Sequence, residues 1–202
     1  MSRLILTIIA VLCAVFISLG DNNAVAVVDY ETNYTTPEVS PKAMAAVRKH
    51  IGNIGNALTR KNFSADMVRK GEVVRLTVPC SDLFAPNDTI LSEASKGRLA
   101  ELKPILQQPT MYKVIVAVYT DDTGDDIYAD EITWSRAAAI YGFLCSITDV
   151  KDANVVPYGM GHSDDKGQNN SIKNRALNRR VEILVVPEWN LIKDAASGKL
   201  AQ

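Results

Sequence analysis

The chain has 202 residues, a length for one domain with accessory segments. Apolar residues make up 47% and charged residues 22%, which excludes a disordered chain and predicts a globular core. A formal charge of −1 leaves no electrostatic footprint for nucleic acid, so recognition of any charged ligand must come from local placement of charge.

The first 26 residues read as a signal peptide. Arg3 supplies the positive start, Leu4 to Leu19 form an apolar run of sixteen, Gly20 breaks it, and an A-x-A signal ends at Ala26. Sixteen residues are short for a membrane span, which needs about 20. The alternative is a retained N-terminal anchor, and membrane contact is expected only through that segment. Cys13 follows Leu12 rather than a small residue, which argues against a lipoprotein signal. In an exported chain Cys80 and Cys145 are allowed to form a disulfide; the other reading is two buried small apolar side chains.

Residues 27–40 are polar with one proline before Ser40, and read as a linker. Residues 41–72 form a helical lead-in. Pro41 opens a helix in which Met44, Val47, Ile51, Ile54 and Leu58 recur at spacings of three and four. Its apolar face is expected to pack on the domain behind it. The alternative is docking of an envelope protein partner through helix 41–59.

The expected domain runs from 73 to 187. "VVRLTV" from Val73 reads as a strand, followed by the loop "CSDLFAPNDTIL". Ser92 caps a helix to Gln107 with Leu99, Leu102 and Leu106 inward. Met111–Thr120 is nearly all apolar, as a buried central strand requires. After an acidic loop, a helix is expected from about Asp130 to Ile147, with Ala137, Ile140, Tyr141 and Leu144 on one face. "NVVPYGMG" is a short third strand, "HSDDKGQNNSIKNRAL" a polar loop, and "NRRVEILVVP" a fourth strand. Residues 188–202 read as a tail. The order βαβ then αββ predicts an α/β (α+β) sandwich: a four-stranded mixed sheet with helices packed mainly on one face.

The chemistry concentrates where the second strand ends. Thr120, Asp121, Thr123 and Gly124 lie there, and loops at such strand ends commonly carry binding groups. Arg136 follows Asp121 by fifteen residues, Asn87 lies in the loop after the first strand, and Arg179 and Arg180 begin the fourth. A carboxylate facing a guanidinium suits a zwitterion, the one holding an ammonium and the other a carboxylate. On charge alone the pair also reads as an ordinary surface salt bridge.

The ordered set "YTDDTG", "SRAAAIYGFL", "YGMG" and "NRRVEI" resembles the OmpA-like peptidoglycan-binding domain family over about Val73 to Pro187. The resemblance implies a βαβαββ fold and non-covalent binding of the diaminopimelate in the stem peptide of the bacterial cell wall. It implies that Asp121 takes the ligand's ammonium and Arg136 its carboxylate, that Thr123 hydrogen-bonds in the same loop, and that Arg179 and Asn87 line the site. Periplasm or cell envelope, with outer-membrane association, is the location it implies. Three positions depart from the family pattern: Tyr119 replaces a histidine, Ala129 an asparagine, and Ile132–Thr133 the usual Leu-Ser pair.

No cofactor or metal is expected. His162 and the two cysteines lack the spacing of a triad or zinc site, so the chain is read as a binding protein and not an enzyme. A motor-stator role needs a span with an ionisable residue, which Leu4 to Leu19 lacks. The N-terminal third also lacks the strands of an outer-membrane barrel. The rival to wall binding is use of the same fold as a structural or protein-interaction module.

Overall fold

A computed structural model describes residues 28–150 and 153–200; the expected signal segment, residues 1–26, lies outside the described residues. In chain order the elements are α1 (Tyr30–Thr35), α2 (Pro41–Arg60), β1 (Ser64–Val68), β2 (Val73–Pro79), α3 (Glu93–Leu99), α4 (Lys103–Leu106), β3 (Tyr112–Val118), α5 (Asp126–Ser146), β4 (Val155–Gly159), α6 (Ile172–Asn178), β5 (Arg180–Pro187) and α7 (Trp189–Ala196). Among the described residues no helix is long and apolar enough to cross a membrane.

The strands form one mixed sheet in the order β1-β2-β5-β3-β4. β5 lies between β2 and β3 and runs antiparallel to both. Its eight residues are all buried: the apolar run "ILVV" demands it, and Arg180 and Glu182 are buried as a pair. β3 and β4 are parallel and joined through α5, the βαβ unit read from the sequence. Pro157 is accommodated because β4 is an edge strand.

Alternation along the strands divides the core. Val74, Leu76, Val78, Val114, Val116, Val118, Val181, Ile183 and Val185 belong to the main cluster, beneath the helices. Val73, Ile115, Leu184 and Val186 turn to the other face, where Tyr30, Tyr34, Val68 and Tyr158 pack on them. Each fully buried aliphatic side chain contributes roughly 1.5–3 kcal/mol. The Asp121 loop is therefore carried on a firmly held strand end.

α2 buries Ala43, Val47, Ile51, Gly55 and Leu58, and packs on β1, β2 and α7. Its apolar face is thus covered within the chain. α5 buries Ala129, Ile132, Thr133, Arg136, Ala137, Ile140 and Leu144. β4 approaches α5 closely at Gly159, where a Cβ would stand 2.5 Å from the backbone nitrogen of Trp134.

The architecture departs from the sequence expectation in several places. The sheet has five strands rather than four, because the lead-in holds β1, a largely exposed edge strand that pairs only with β2. Residues 27–40, read as a linker, contain α1; its tyrosines bury themselves on the back of the sheet without an aliphatic period. α6 lies in the expected polar loop and α7 in the expected tail, where Leu191, Ile192 and Ala195 face inward. The helix from Ser92 is broken into α3, a 3-10 turn at Ala100–Leu102 and α4, since Pro104 offers no N–H to continue the ladder. α5 begins at Asp126 rather than near Asp130, capped by Asp125, and Tyr141 faces solvent. Cys80 and Cys145 are both free thiols.

Candidate functional site

β3 ends at Val118, and the next residues turn into a cleft of about 870 Å³. The Asp121 side chain is folded inward. Its Oδ1 accepts from the Thr123 backbone N–H at 3.1 Å and its Oδ2 from Arg179 Nη1. Gly124, at φ +96°, reverses the chain so that Asp125 can cap α5, its Oδ1 accepting from the Tyr128 N–H at 2.8 Å. α5 then carries Tyr128, Ile132 and Arg136 at intervals of four, and all three line the cleft.

Arg136 is 6% exposed, and its surroundings hold it in one plane. Nε donates to the Asp88 carbonyl at 2.9 Å, and the guanidinium lies 5.1 Å from the centre of the Phe84 ring. Among the described residues no carboxylate stands within ion-pairing distance of it. A buried charge is costly to leave without a partner. Two guanidinium groups, Arg136 and Arg179, thus share the cleft with one buried carboxylate, Asp121; Asp82, also in the lining, is neutralised by Arg98 at 2.9 Å, which leaves one positive charge in excess. That is the electrostatic requirement for accepting an anion.

All five residues singled out in the sequence line this one cleft: Asn87, Asp121, Thr123, Arg136 and Arg179. Asn87 sits at its mouth, where Oδ1 accepts from the Tyr128 hydroxyl at 3.1 Å. Arg179, the residue after α6, is held by its carbonyl, which accepts from the Cys80 N–H. Phe84 and Tyr128 are the wall residues the sequence reading omits. The spacing of four from Tyr128 through Arg136 is the signal that marks Tyr128, whereas Phe84 lies in a loop with no period.

The neighbouring acids have local tasks. Asp122 pairs with Arg175 at 3.2 Å and Asp126 with His162 at 3.0 Å. His50 lies elsewhere, against the Tyr112 hydroxyl. Cys80 is buried at the cleft floor, and burial pushes its thiol up to about 11, far from a nucleophile's range. Among the described residues no group of three or more His, Cys, Asp or Glu side chains is placed to hold a metal.

The three departures from the family pattern have different consequences. Tyr119 points to the opposite face of the sheet, under the Arg180 guanidinium at 3.9 Å, so it does not touch the cleft. Ala129 is buried, and its carbonyl accepts from Thr133 Oγ1. Thr133 Oγ1 in turn accepts from the Gly161 N–H at 3.1 Å, tying the end of β4 to α5. Arg180 is structural: it is 2% exposed and bonds Glu182 and the Asp164 carbonyl and carboxylate.

Residues 83–179, which supply most of the lining of this cleft, match the OmpA family. That match covers just under half of the chain. The chain is 28% identical to the probable lipoprotein YiaD of Escherichia coli (strain K12) over 128 residues, 63% of this chain and 58% of that protein. It is 29% identical to outer membrane porin F of Pseudomonas aeruginosa over 117 residues, 58% of this chain and 33% of that one. The chain therefore spans little more than half of one curated relative and a third of the other. Among solved structures, the fold is shared with a putative MotB-like protein from Desulfovibrio vulgaris, at a TM-score of 0.62 and 24% identity over 73% of this chain and 95% of that one. It is also shared with the cell wall anchor of the T6SS from Pseudomonas aeruginosa, at 0.57 and 19% identity over 70% and 99%.

Proposed function

We propose that this chain binds cell-wall peptidoglycan non-covalently, by the diaminopimelate of the stem peptide, and so links an exported protein to the wall of the bacterial envelope. Asp121 holds the ligand's ammonium. Arg136 holds its carboxylate with the two Nη groups, since Nε is committed to the Asp88 carbonyl. Arg179 orients Asp121 through their ion pair, and Thr123 and Asn87 complete the rim. The observation that carries this reading is the buried Arg136 guanidinium with no carboxylate of its own, in the same cleft as a buried aspartate. A free amino-acid end satisfies both at once. The match of residues 83–179 to the OmpA family and the cell-wall anchor among the structural neighbours support it. The geometry supports no catalytic step. Docking of an envelope partner through residues 41–59 has less support, because the apolar face of α2 already rests on the sheet.

The test is co-sedimentation with purified sacculi, comparing the protein with Asp121→Ala and Arg136→Ala, with folding checked by circular dichroism. Sedimentation of the unaltered protein and its loss in both folded variants is the expected result. Equal behaviour of all three refutes the assignment.

A further inference from the structure

A second hollow of about 330 Å³ opens on the opposite face of the sheet, between α1 and the loop after β4. Three tyrosines wall it: Tyr30 and Tyr34 from α1, and Tyr119. Tyr30 and Tyr34 lie parallel, 2° apart in plane, and Tyr158 meets Tyr30 edge-on. The α1 segment is fastened there rather than draped. Lys113 Nζ donates to the Asn33 and Thr36 carbonyls, Arg69 to the Tyr34 and Pro37 carbonyls, and the Tyr158 hydroxyl to the Val28 carbonyl.

The charged groups facing this hollow are each paired inside the protein. Arg75 is bound bidentately by Asp66, Glu182 by Arg180, and Asp164 by Arg180 and Lys166. An ion entering would have to break one of these pairs. A neutral ligand rich in hydroxyls would not: it can bond the free lone pairs and N–H groups of the paired charges and lay its C–H faces on the rings. Burial pushes the Tyr30 hydroxyl up to about 12 and the Tyr119 hydroxyl further in the same direction, so both stay neutral donors at any working pH. The volume is at the low end of small-ligand pockets, about 300–1,000 Å³.

Position adds the decisive point. Tyr119 lines this hollow and Thr120, the next residue, lines the Asp121 cleft; Arg180 stacks on the Tyr119 ring while Arg179, the residue before it, lines the cleft. The two cavities are back to back at one end of β3. A wall polymer carries a peptide branch on a saccharide chain, and a ligand of that form can straddle this sheet end. We propose that the tyrosine-walled hollow is a saccharide subsite, taking a ring of the wall's glycan strand while the stem peptide occupies the Asp121 cleft. The choice of the wall glycan as the sugar's source rests on the function proposed above.

The experiment titrates the protein, followed by backbone-amide NMR, with a peptide-free N-acetylglucosamine trimer and separately with free diaminopimelate. The trimer is expected to shift the amides of Tyr30, Tyr34, Ser163 and Glu182 saturably, in the unaltered protein and equally in Asp121→Ala. Tyr34→Ala is expected to weaken this at least tenfold. Ser163→Phe, which blocks the exposed mouth without touching the contacts of α1, is expected to do the same. No saturable shift at these residues, or shifts unchanged in Ser163→Phe, overturns the subsite. Loss of diaminopimelate binding is a separate readout: its absence in the unaltered protein would refute the Asp121 clamp and leave the trimer result standing.

Discussion

Gly159 to alanine is the most discriminating change to the scaffold. The added methyl would lie 2.5 Å from the Trp134 nitrogen, 2.7 Å from its Cα and 3.0 Å from its Cβ. The first two neighbours are backbone atoms within α5 and cannot rotate away. The β4–α5 contact must open by about 1 Å, an overpacking that costs about 2–3 kcal/mol. At roughly 2–4 °C per kcal/mol for a protein of this size, the melting temperature is expected to fall by about 5–10 °C. Gly142 to alanine is the internal control. It lies in the same helix with nothing within 4 Å of the new methyl, and there the change removes backbone freedom from the unfolded chain. A gain of up to about 1 kcal/mol is expected. Thermal unfolding followed by circular dichroism measures both. A neutral Gly159→Ala, or a shift of the same sign in the two variants, would refute the argument from close approach. The damage should also reach the cleft, since β4 runs on into Met160 and Gly161. Their backbones bond Val118 and Thr120 at 2.8 Å each.

Arg136→Lys should weaken sacculus binding by about tenfold while the fold persists, because lysine keeps the charge but loses the planar fork and the stacking on Phe84; co-sedimentation against sacculus concentration reads it. The two histidines should titrate on opposite sides of the ordinary value of about 6.5. The hydrogen bond to Asp126 raises His162, so its contribution to stability is present below that value and lost as pH rises through the folded one. Burial lowers His50, so its contribution is present above about 6.5 and lost as pH falls through its folded value. An NMR titration of the imidazole signals distinguishes them, and a common midpoint would contradict both. Finally, alkylation followed by peptide mass spectrometry should label Cys145 well before Cys80, whose buried thiol is both shielded and protonated.

Legibility in the sequence follows burial. β3 and β5 are buried along their whole length, and their apolar stretches "VIVAV" and "ILVV" announce them. Arg136 is legible because helical spacing brings it beneath the loop that ends β3. β1 is not, because "SADMV" sits at an edge and owes its strand form to the hydrogen bonds of β2 rather than to its own pattern. α1 is hidden for a related reason: Tyr30 and Tyr34 bury ring area while the segment counts as polar. The ion pair of Arg180 with Glu182, 2% and 3% exposed, is invisible to periodicity, since charge in a strand ordinarily signals solvent. The whole second hollow depends on these unannounced elements.

The fastening of α1 also decides how the molecule takes load. Where the N-terminal segment is retained as an anchor, tension arriving ahead of Val28 would meet the Tyr158 hydroxyl and Asn33 first, then the carbonyls held by Lys113 and Arg69, and only afterwards α2 and the sheet. Those few hydrogen bonds would break in succession, peeling residues 28–40 from the sheet and releasing roughly 40 Å of chain before the core bears any force. The segment would then act as a mechanical fuse in series with the proposed wall contact, giving way under a sudden pull while the five-stranded sheet and its cleft keep their shape.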